Sequence, residues 1–342
     1  MDSITQAALG ATLAGAVAGK TLGRSALLTG ALLGTLPDLD VVIDYGTAVA
    51  NFTQHRGFSH SLLILAPLSL LIAWGLWRWK PVISYRRWLA LVALILITHP
   101  LLDAFTTYGT QLFWPFGTPV AINSIFIIDP LYTLPLLAGC LAFLVRPPAR
   151  TALSLALGLS TLYLGWTLVA QQIITDRVQP ALARAGLEQP ALMVQPMPFN
   201  TLLWRATAIT DDTRVEIVTG FLDRTPELSL EYFPRNPVLR ARVAGLPEAR
   251  RLEWFTRGFL HYEQAGQQII ATDIRLGIPG AHPFTFTLAN LSDQGLAPIP
   301  SGRLDRPAIN PDALPLLWAR LTGELPVLCL ATLAPPAQGH AC

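Results

Sequence analysis

His55-Arg56-Gly57-Phe58-Ser59-His60 brings two histidines, an arginine and a serine into six residues. Two further segments can be gathered around it, Pro37-Asp38-Leu39-Asp40 upstream and His99-Pro100-Leu101-Leu102-Asp103 downstream. Imidazole and carboxylate together are the ligands of zinc and, where oxygen predominates, of manganese. The candidate metal ligands are Asp38, Asp40, His55, His60, His99 and Asp103. Six ligands exceed what one structural zinc needs, so the set suits a catalytic centre with open positions, holding one ion or two about 3.5–4 Å apart. Zinc is the first expectation and manganese the next. Asp40 and Arg56 are the candidates for a catalytic role, since an arginine between two histidines could bind a phosphate or carboxylate oxygen. The expected chemistry is attack on an ester or phosphoester by water that a bound ion makes nucleophilic at neutral pH.

Spacing constrains the elements that carry these groups. His99 and Asp103 are four apart, which on a helix places both on one face. Pro100 removes a helix hydrogen bond there, so the helix is expected to kink or to start anew. His55 and His60, five apart, would diverge by about 140° on one helix. His55 is therefore expected in a loop, with Gly57 permitting the turn and Ser59 capping a helix that opens at His60. Asp38 and Asp40 are two apart, and an extended backbone after Pro37 would direct both to one side. Singly, each feature has a plain structural reading: a hydrogen-bonded helix histidine, a turn, a salt bridge at a helix end. Together, in an apolar setting where an uncompensated charge costs about 2.5 kcal/mol or more, they point to function.

The setting is apolar. The 342 residues are 52% hydrophobic and only 13% charged, whereas soluble domains carry about 25% charged residues. The chain reads as a membrane protein. Residues 1–170 hold no glutamate and six aspartates (Asp2, Asp38, Asp40, Asp44, Asp103 and Asp129), while residues 171–342 are ordinarily polar. This divides the chain into a polytopic membrane domain, 1–170, carrying the site, and an extramembrane domain, 171–342. A net charge of +2 without a basic stripe offers no nucleic-acid surface. Cys140 sits in an apolar run and reads as packing, while Cys329 and Cys342 could pair outside the cytoplasm. The positive n-region of a signal peptide is missing before residue 4, so that stretch is expected to stay in the mature chain.

About six helices are expected in the first domain, at 4–19, 25–36, 61–79, 88–102, 126–145 and 151–170. The first two runs are shorter than the roughly 20 residues that span a bilayer, and could form a tight hairpin or tilted or re-entrant segments. Tryptophans such as Trp79 and Trp88 at run ends suit the interfacial belt. Eight of nine basic residues before position 171 fall in three alternate loops, which the positive-inside rule places in the cytoplasm. Arg56 is the ninth. Gln6, Asp38, Asp40, His55, His60, His99 and Asp103 then meet at the extracytoplasmic face, with Asp129 at the edge. Beyond residue 170, alternation predicts strands at 203–209, 215–220, 254–259 and 269–275, helices at 237–246 and 312–324, and a Pro-rich connection at 297–308. The fold class is thus a mainly α-helical polytopic membrane domain followed by an extracytoplasmic α+β domain with a mostly antiparallel sheet, able to cover the site or contact substrate. His261, His282 and His340 lack acidic or histidine neighbours at ligand spacing and read as ordinary residues.

Several segments resemble a known group, the membrane-bound metal-dependent hydrolase family of bacterial inner membranes, one member of which is described as LexA-binding. They are Met1-Asp2-Ser3-Ile4-Thr5-Gln6-Ala7-Ala8-Leu9-Gly10, Gly34-Thr35-Leu36-Pro37-Asp38-Leu39-Asp40, His55 to Ser61, and Thr98 to Thr110, with Ile128-Asp129-Pro130-Leu131-Tyr132 besides. The resemblance covers about the first half of the chain. It implies a metal-dependent hydrolase in the bacterial inner membrane and leaves the substrate open. Some relatives carry histidine where this chain has Gln6. The His-x-x-x-Asp element is also similar to one in zinc-dependent phospholipases C, an analogy that favours a lipid or phosphoester reaching the site from the membrane plane. The competing expectation is a non-catalytic metal-binding membrane protein that serves as a partner-binding or sensing module. Neither HExxH nor GxSxG occurs, which disfavours zinc-type and serine-type intramembrane proteases.

Overall fold

The structure is a computed structural model that describes residues 1–342 except 147–149, 188, 225–226, 293–294, 306–312, 325–329 and 331–342. Cys329, Cys342 and His340 lie outside the described residues. The chain forms two units. One comprises Met1–Ile43, Gln54–Val169 and Pro198–Asn200, and the other Asp44–Thr53, Ala170–Met197 and Thr201–Cys342.

The first unit is helical. Helix α1 (Ser3–Leu22) opens on Asp2, whose carboxylate accepts from the amides of Ile4 and Thr5. Glycines let it approach α2 (Ser25–Thr35): a Cβ on Gly30 would stand 2.1 Å from the carbonyl oxygen of Gly10. A 3-10 helix, Pro37–Val42, follows at once. After α3 (Ala48–Gln54), which up to Thr53 belongs to the second unit, a short 3-10 turn, Phe58–His60, leads into α4 (Leu62–Trp79), which pairs with α5 (Tyr85–Asp103). Then come α6 (Pro130–Val145) and α7 (Arg150–Arg184), which continues into the second unit beyond Val169. Ala14, Ala18, Ala26, Leu65, Leu91, Ile95 and Leu96 form the core of α1, α2, α4 and α5. Leu70, Leu71, Leu134, Leu141, Leu155 and Leu162 are exposed on outward faces, the inverse of a soluble bundle.

Among the described residues three helices, Leu62–Trp79, Tyr85–Asp103 and Arg150–Arg184, are long and apolar enough to cross a membrane, and Ser25–Thr35 and Pro130–Val145 are shorter apolar helices. Helix α5 runs on through Pro100 instead of starting anew there.

Among its described residues the second unit has two four-stranded antiparallel sheets where the sequence suggested one. Strands β1 (Ala191–Pro196), β2 (Leu203–Ile209), β3 (Thr213–Gly220) and β4 (Glu231–Pro234) form the first. Strands β5 (Leu260–Ala265), β6 (Gln268–Asp273), β7 (Thr285–Ser292) and β8 (Gly295–Pro298) form the second. Ala170, Ile174, Val178 and Leu182 of α7 pack on Trp204, Ala206, Val215 and Ile217 of the first sheet. Helices α8 (Pro237–Val243) and α10 (Ala313–Leu321) fall within predicted helices. The strand expected at 254–259 is instead the end of α9 (Pro247–Thr256): Pro247 suits a first helical turn, and Ala249, Leu252, Phe255 and Thr256 bury one face. Residues 44–53, although flanked by the membrane segments, belong to this unit, where Phe52 lies 4.5–5.2 Å from the rings of Phe255, Phe284 and Phe286.

His261 makes this unit acid-sensitive. Burial, with Arg214 and Arg235 nearby, pushes its imidazole down to about 4. The unfolded chain takes up a proton near 6.5 and the folded one does not, so stability present above 6.5 is lost as pH falls toward 4, by about 3 kcal/mol in all. Denaturation monitored by tryptophan fluorescence between pH 7 and 4 should show this slope in the parent and a shallower one in His261→Gln.

Candidate metal centre

Asp38, His60, His99 and Asp103 each offer a ligand atom, and the four atoms lie within 4.8 Å of one another. His60 Nε2 stands 3.1 Å from His99 Nε2, 3.3 Å from Asp38 Oδ1 and 3.2 Å from Asp103 Oδ2. His99 Nε2 is 3.4 Å from Asp38 Oδ1 and 3.6 Å from Asp103 Oδ2. A tetrahedral zinc bound at about 2.0–2.1 Å by nitrogen and oxygen has ligand–ligand edges of about 3.3–3.4 Å. The five edges bracket that value, so the cage fits such an ion.

Hydrogen bonding fixes which nitrogens face inward. His99 Nδ1 lies 2.6 Å from the carbonyl oxygen of Gly34, which can only accept, so Nδ1 carries the hydrogen and Nε2 presents its lone pair. That carbonyl belongs to the last turn of α2, where no helical amide remains to use it. Ser59 Oγ donates to Asp40 Oδ2 at 2.7 Å, and its one hydrogen is thereby spent. His60 Nδ1, 2.8 Å from the same Oγ, must therefore donate, and its Nε2 also faces inward bare. Among the described residues the buried Asp103 Oδ2 has no hydrogen-bond partner. Two lone pairs and two carboxylate oxygens converging this closely need a cation among them, whether a metal ion or, in its absence, a proton on an imidazole.

The surroundings hold the ligands. Gln6 Nε2 donates to Asp103 Oδ1 at 2.9 Å and to the carbonyl of His99 at 3.1 Å, and the Met1 amino group meets the same Oδ1. Arg56 is 3% exposed: its Nε is 3.3 Å from Asp103 Oδ2 and its Nη1 3.2 Å from Thr106 Oγ1. Its guanidinium neutralises Asp103 instead of facing an open pocket for a phosphate. The residue also takes φ +60°, so the turn is made at Arg56, while Gly57 serves by its size, since a Cβ there would stand 2.7 Å from the Gln54 carbonyl oxygen. Ser59 makes the relay just described instead of capping a helix.

Asp40 and His55 are not brought into the four-residue group. Pro37 starts a 3-10 helix in place of the expected extended segment, and two residues on such a helix diverge by about 120°. Asp38 therefore turns to the histidines and Asp40 the other way, accepting from His55 Nδ1, the Arg56 amide and Ser59 Oγ at 2.9, 2.9 and 2.7 Å. With these donors in place Asp40 acts as the orienting carboxylate behind His60, an outer partner of the kind that tunes metal ligands. Burial pushes the Asp38 carboxyl up, but His60 and His99 outweigh it and hold it well below the usual carboxylate range; His55 and Ser59 hold Asp40 low in the same way. Asp129 is placed elsewhere, capping α6 through the amides of Leu131 and Tyr132 and accepting from the Tyr163 hydroxyl.

Sequence reasoning missed the Gly34 carbonyl and the relay role of Ser59. The only available signals were a glycine near a helix end and a hydroxyl beside a candidate histidine. Ser59→Ala is expected to leave the fold intact and weaken metal binding by about 10–100-fold, because His60 loses the acceptor that fixes its tautomer. A metal competition titration on purified protein measures it.

The sequence profile of the YdjM inner membrane protein family matches residues 1–174, which include all four ligands. Inner membrane protein YbcI of Escherichia coli (strain K12) is 36% identical over 112 residues, covering 32% of this chain and 64% of that protein. Uncharacterized protein YfhP of Bacillus subtilis (strain 168) is 29% identical over 173 residues, covering 48% of this chain and 53% of that one. The match thus spans less than two thirds of either relative, and neither description states an activity. No solved structure matches. The chain belongs to the YdjM inner membrane protein family.

Proposed function

We propose that this chain is a metal-dependent hydrolase of the inner membrane that acts on an ester or phosphoester. The observation that carries the reading is the pair of inward Nε2 atoms of His60 and His99, 3.1 Å apart and flanked by oxygens of Asp38 and Asp103. Zinc suits this two-imidazole, two-carboxylate set, with manganese next. A divalent ion held there would supply the Lewis acidity that turns water into a nucleophile at neutral pH. Asp38, His60, His99 and Asp103 are its ligands. Asp40 acts through Ser59 to keep the His60 hydrogen on Nδ1, and Arg56 offsets the charge of Asp103. Asp40 is engaged by three donors and does not bridge, which favours one ion over two. Asp38 has the most exposed side chain of the four ligands, at 16%, so substrate and water approach on its side.

The basic loops support a topology in which the site and the two-sheet unit are extracytoplasmic. A reporter fused after residue 342 should then be active outside the cytoplasm, and cytoplasmic activity would invert the placement.

A second reading has its own observation. Four protein ligands complete a tetrahedron, whereas catalytic zinc keeps one position open, so a non-catalytic sensing or partner-binding metal site also suits the cage. Metal analysis of the purified protein, combined with turnover assays on phosphoesters, lipid esters and peptides, separates the two. Stoichiometric zinc or manganese with turnover, both lost in His60→Ala, supports the hydrolase. Retained metal with no turnover supports the second reading, and metal-free protein overturns both.

A further inference from the structure

The approach to the metal ligands is built from exposed apolar side chains. Asp38 is flanked on its own 3-10 helix by Leu39, 57% exposed, Val41, 72%, and Val42, 81%. On the neighbouring turn Phe58, two residues before His60, is exposed and stacks edge-on with Trp114 at 6.3 Å. The loop bearing Trp114 and Phe116 is tied to that turn, because the Leu62 amide donates to the Leu112 carbonyl and Ser61 Oγ to the Trp114 carbonyl. Phe116 is 70% exposed.

These exposed apolar side chains lie on two turns that touch each other and on a loop tied to one of them, a grouping that is rare where protein meets water. Exposed apolar side chains continue on the neighbouring helices: Leu63 follows directly in α4, and Leu101 lies between His99 and Asp103 on α5. Both helices are long and apolar enough to cross a membrane. Charge narrows the occupant further. Asp38, Asp40 and Asp103 contribute −3, Arg56 and the Met1 ammonium +2 and a divalent ion +2, a net charge of +1 that favours an anionic group.

We infer that the substrate is an anionic phospholipid of the surrounding membrane, its acyl chains along Leu39, Val41, Val42, Phe58 and Phe116 and its headgroup phosphate at the Asp38 side of the centre. The inference rests on the metal-site reading above and names its substrate class. Loading with Mn²⁺ tests both separately. The protein is placed in nanodiscs of phosphatidylglycerol and phosphatidylethanolamine, bound Mn²⁺ is counted by electron paramagnetic resonance, and ³¹P line widths of the lipids are recorded. The expected result is bound Mn²⁺ with excess broadening of phosphatidylglycerol, lost in His99→Ala together with the ion. In Val41→Ser/Val42→Ser the ion is expected to stay while the broadening is lost. Bound Mn²⁺ without lipid broadening overturns the lipid substrate and spares the metal centre. Equal broadening of soluble glycerol 3-phosphate, unaffected by the valine substitutions, also overturns the lipid source. Failure to bind Mn²⁺ in folded protein overturns the centre and this inference with it.

Discussion

Asp103→Leu is expected to abolish metal binding and to lower the free energy of unfolding by about 3–5 kcal/mol. Both consequences follow from one position at the end of α5. Asp103 Oδ2 faces the two imidazoles, so its loss removes one edge of the cage. The same oxygen lies 3.3 Å from Arg56 Nε, and both side chains are buried, so its loss also strands a guanidinium without a counter-charge. Breaking one side of a buried pair is far costlier than replacing both, because the survivor stays desolvated and unpaired. The double variant Arg56→Met/Asp103→Leu is therefore expected to regain part of the lost stability, the Met1 ammonium and Gln6 remaining without their partner, while binding no ion. Unfolding in detergent gives the stabilities and elemental analysis the metal. An Asp103→Leu protein that keeps a stoichiometric ion would remove Asp103 from the centre; a double variant as unstable as the single one would mean that Arg56 is not its charge partner.

Much of this site was legible in the sequence because its chemistry is local in composition. His99 and Asp103 sit one helical turn apart, and the helix that joins them survives Pro100. Asp38 and His60 were legible as types, because imidazole and carboxylate are scarce in the first 170 residues. What the sequence hid was direction. Pro37 reads equally as the start of an extended segment or of a 3-10 helix, and only the second separates Asp38 from Asp40. Arg56 between two histidines reads as an anion ligand, but its φ of +60° and its burial turn it inward onto Asp103. The membership of residues 44–53 in the second unit was equally hidden, since Phe52 finds its aromatic partners about 200 residues further along the chain. The α9 segment misled for a related reason: Trp254-Phe255 suggests a strand by residue type, while the buried period and Pro247 specify a helix.

The close approach of α1 and α2 sets up the second large effect, in residues that touch neither substrate nor ion. Gly30→Ala is expected to destabilise the protein by about 3 kcal/mol, at the upper end of overpacking costs. The new Cβ would stand 2.1 Å from the Gly10 carbonyl oxygen and 2.6 Å from Ala14 Cβ, and backbone cannot yield as a flexible side chain would. The two helices must separate, and the separation travels one turn along α2 to Gly34, itself seated against the Gln6 carbonyl. Gly34 supplies the oxygen that holds the hydrogen of His99 on Nδ1, and Gln6 supplies a donor to Asp103. Metal affinity should therefore fall by about 10–100-fold, the range seen when an outer partner of a ligand is disturbed. Gly158→Ala in α7, where among the described residues no atom beyond its chain neighbours and the helix's own backbone lies within 4 Å of the new methyl, should change stability by no more than about 1 kcal/mol and leave the ion in place. Thermal unfolding and metal titration of both variants decide the matter: equal behaviour of the two would mean that the α1–α2 contact does not position the centre.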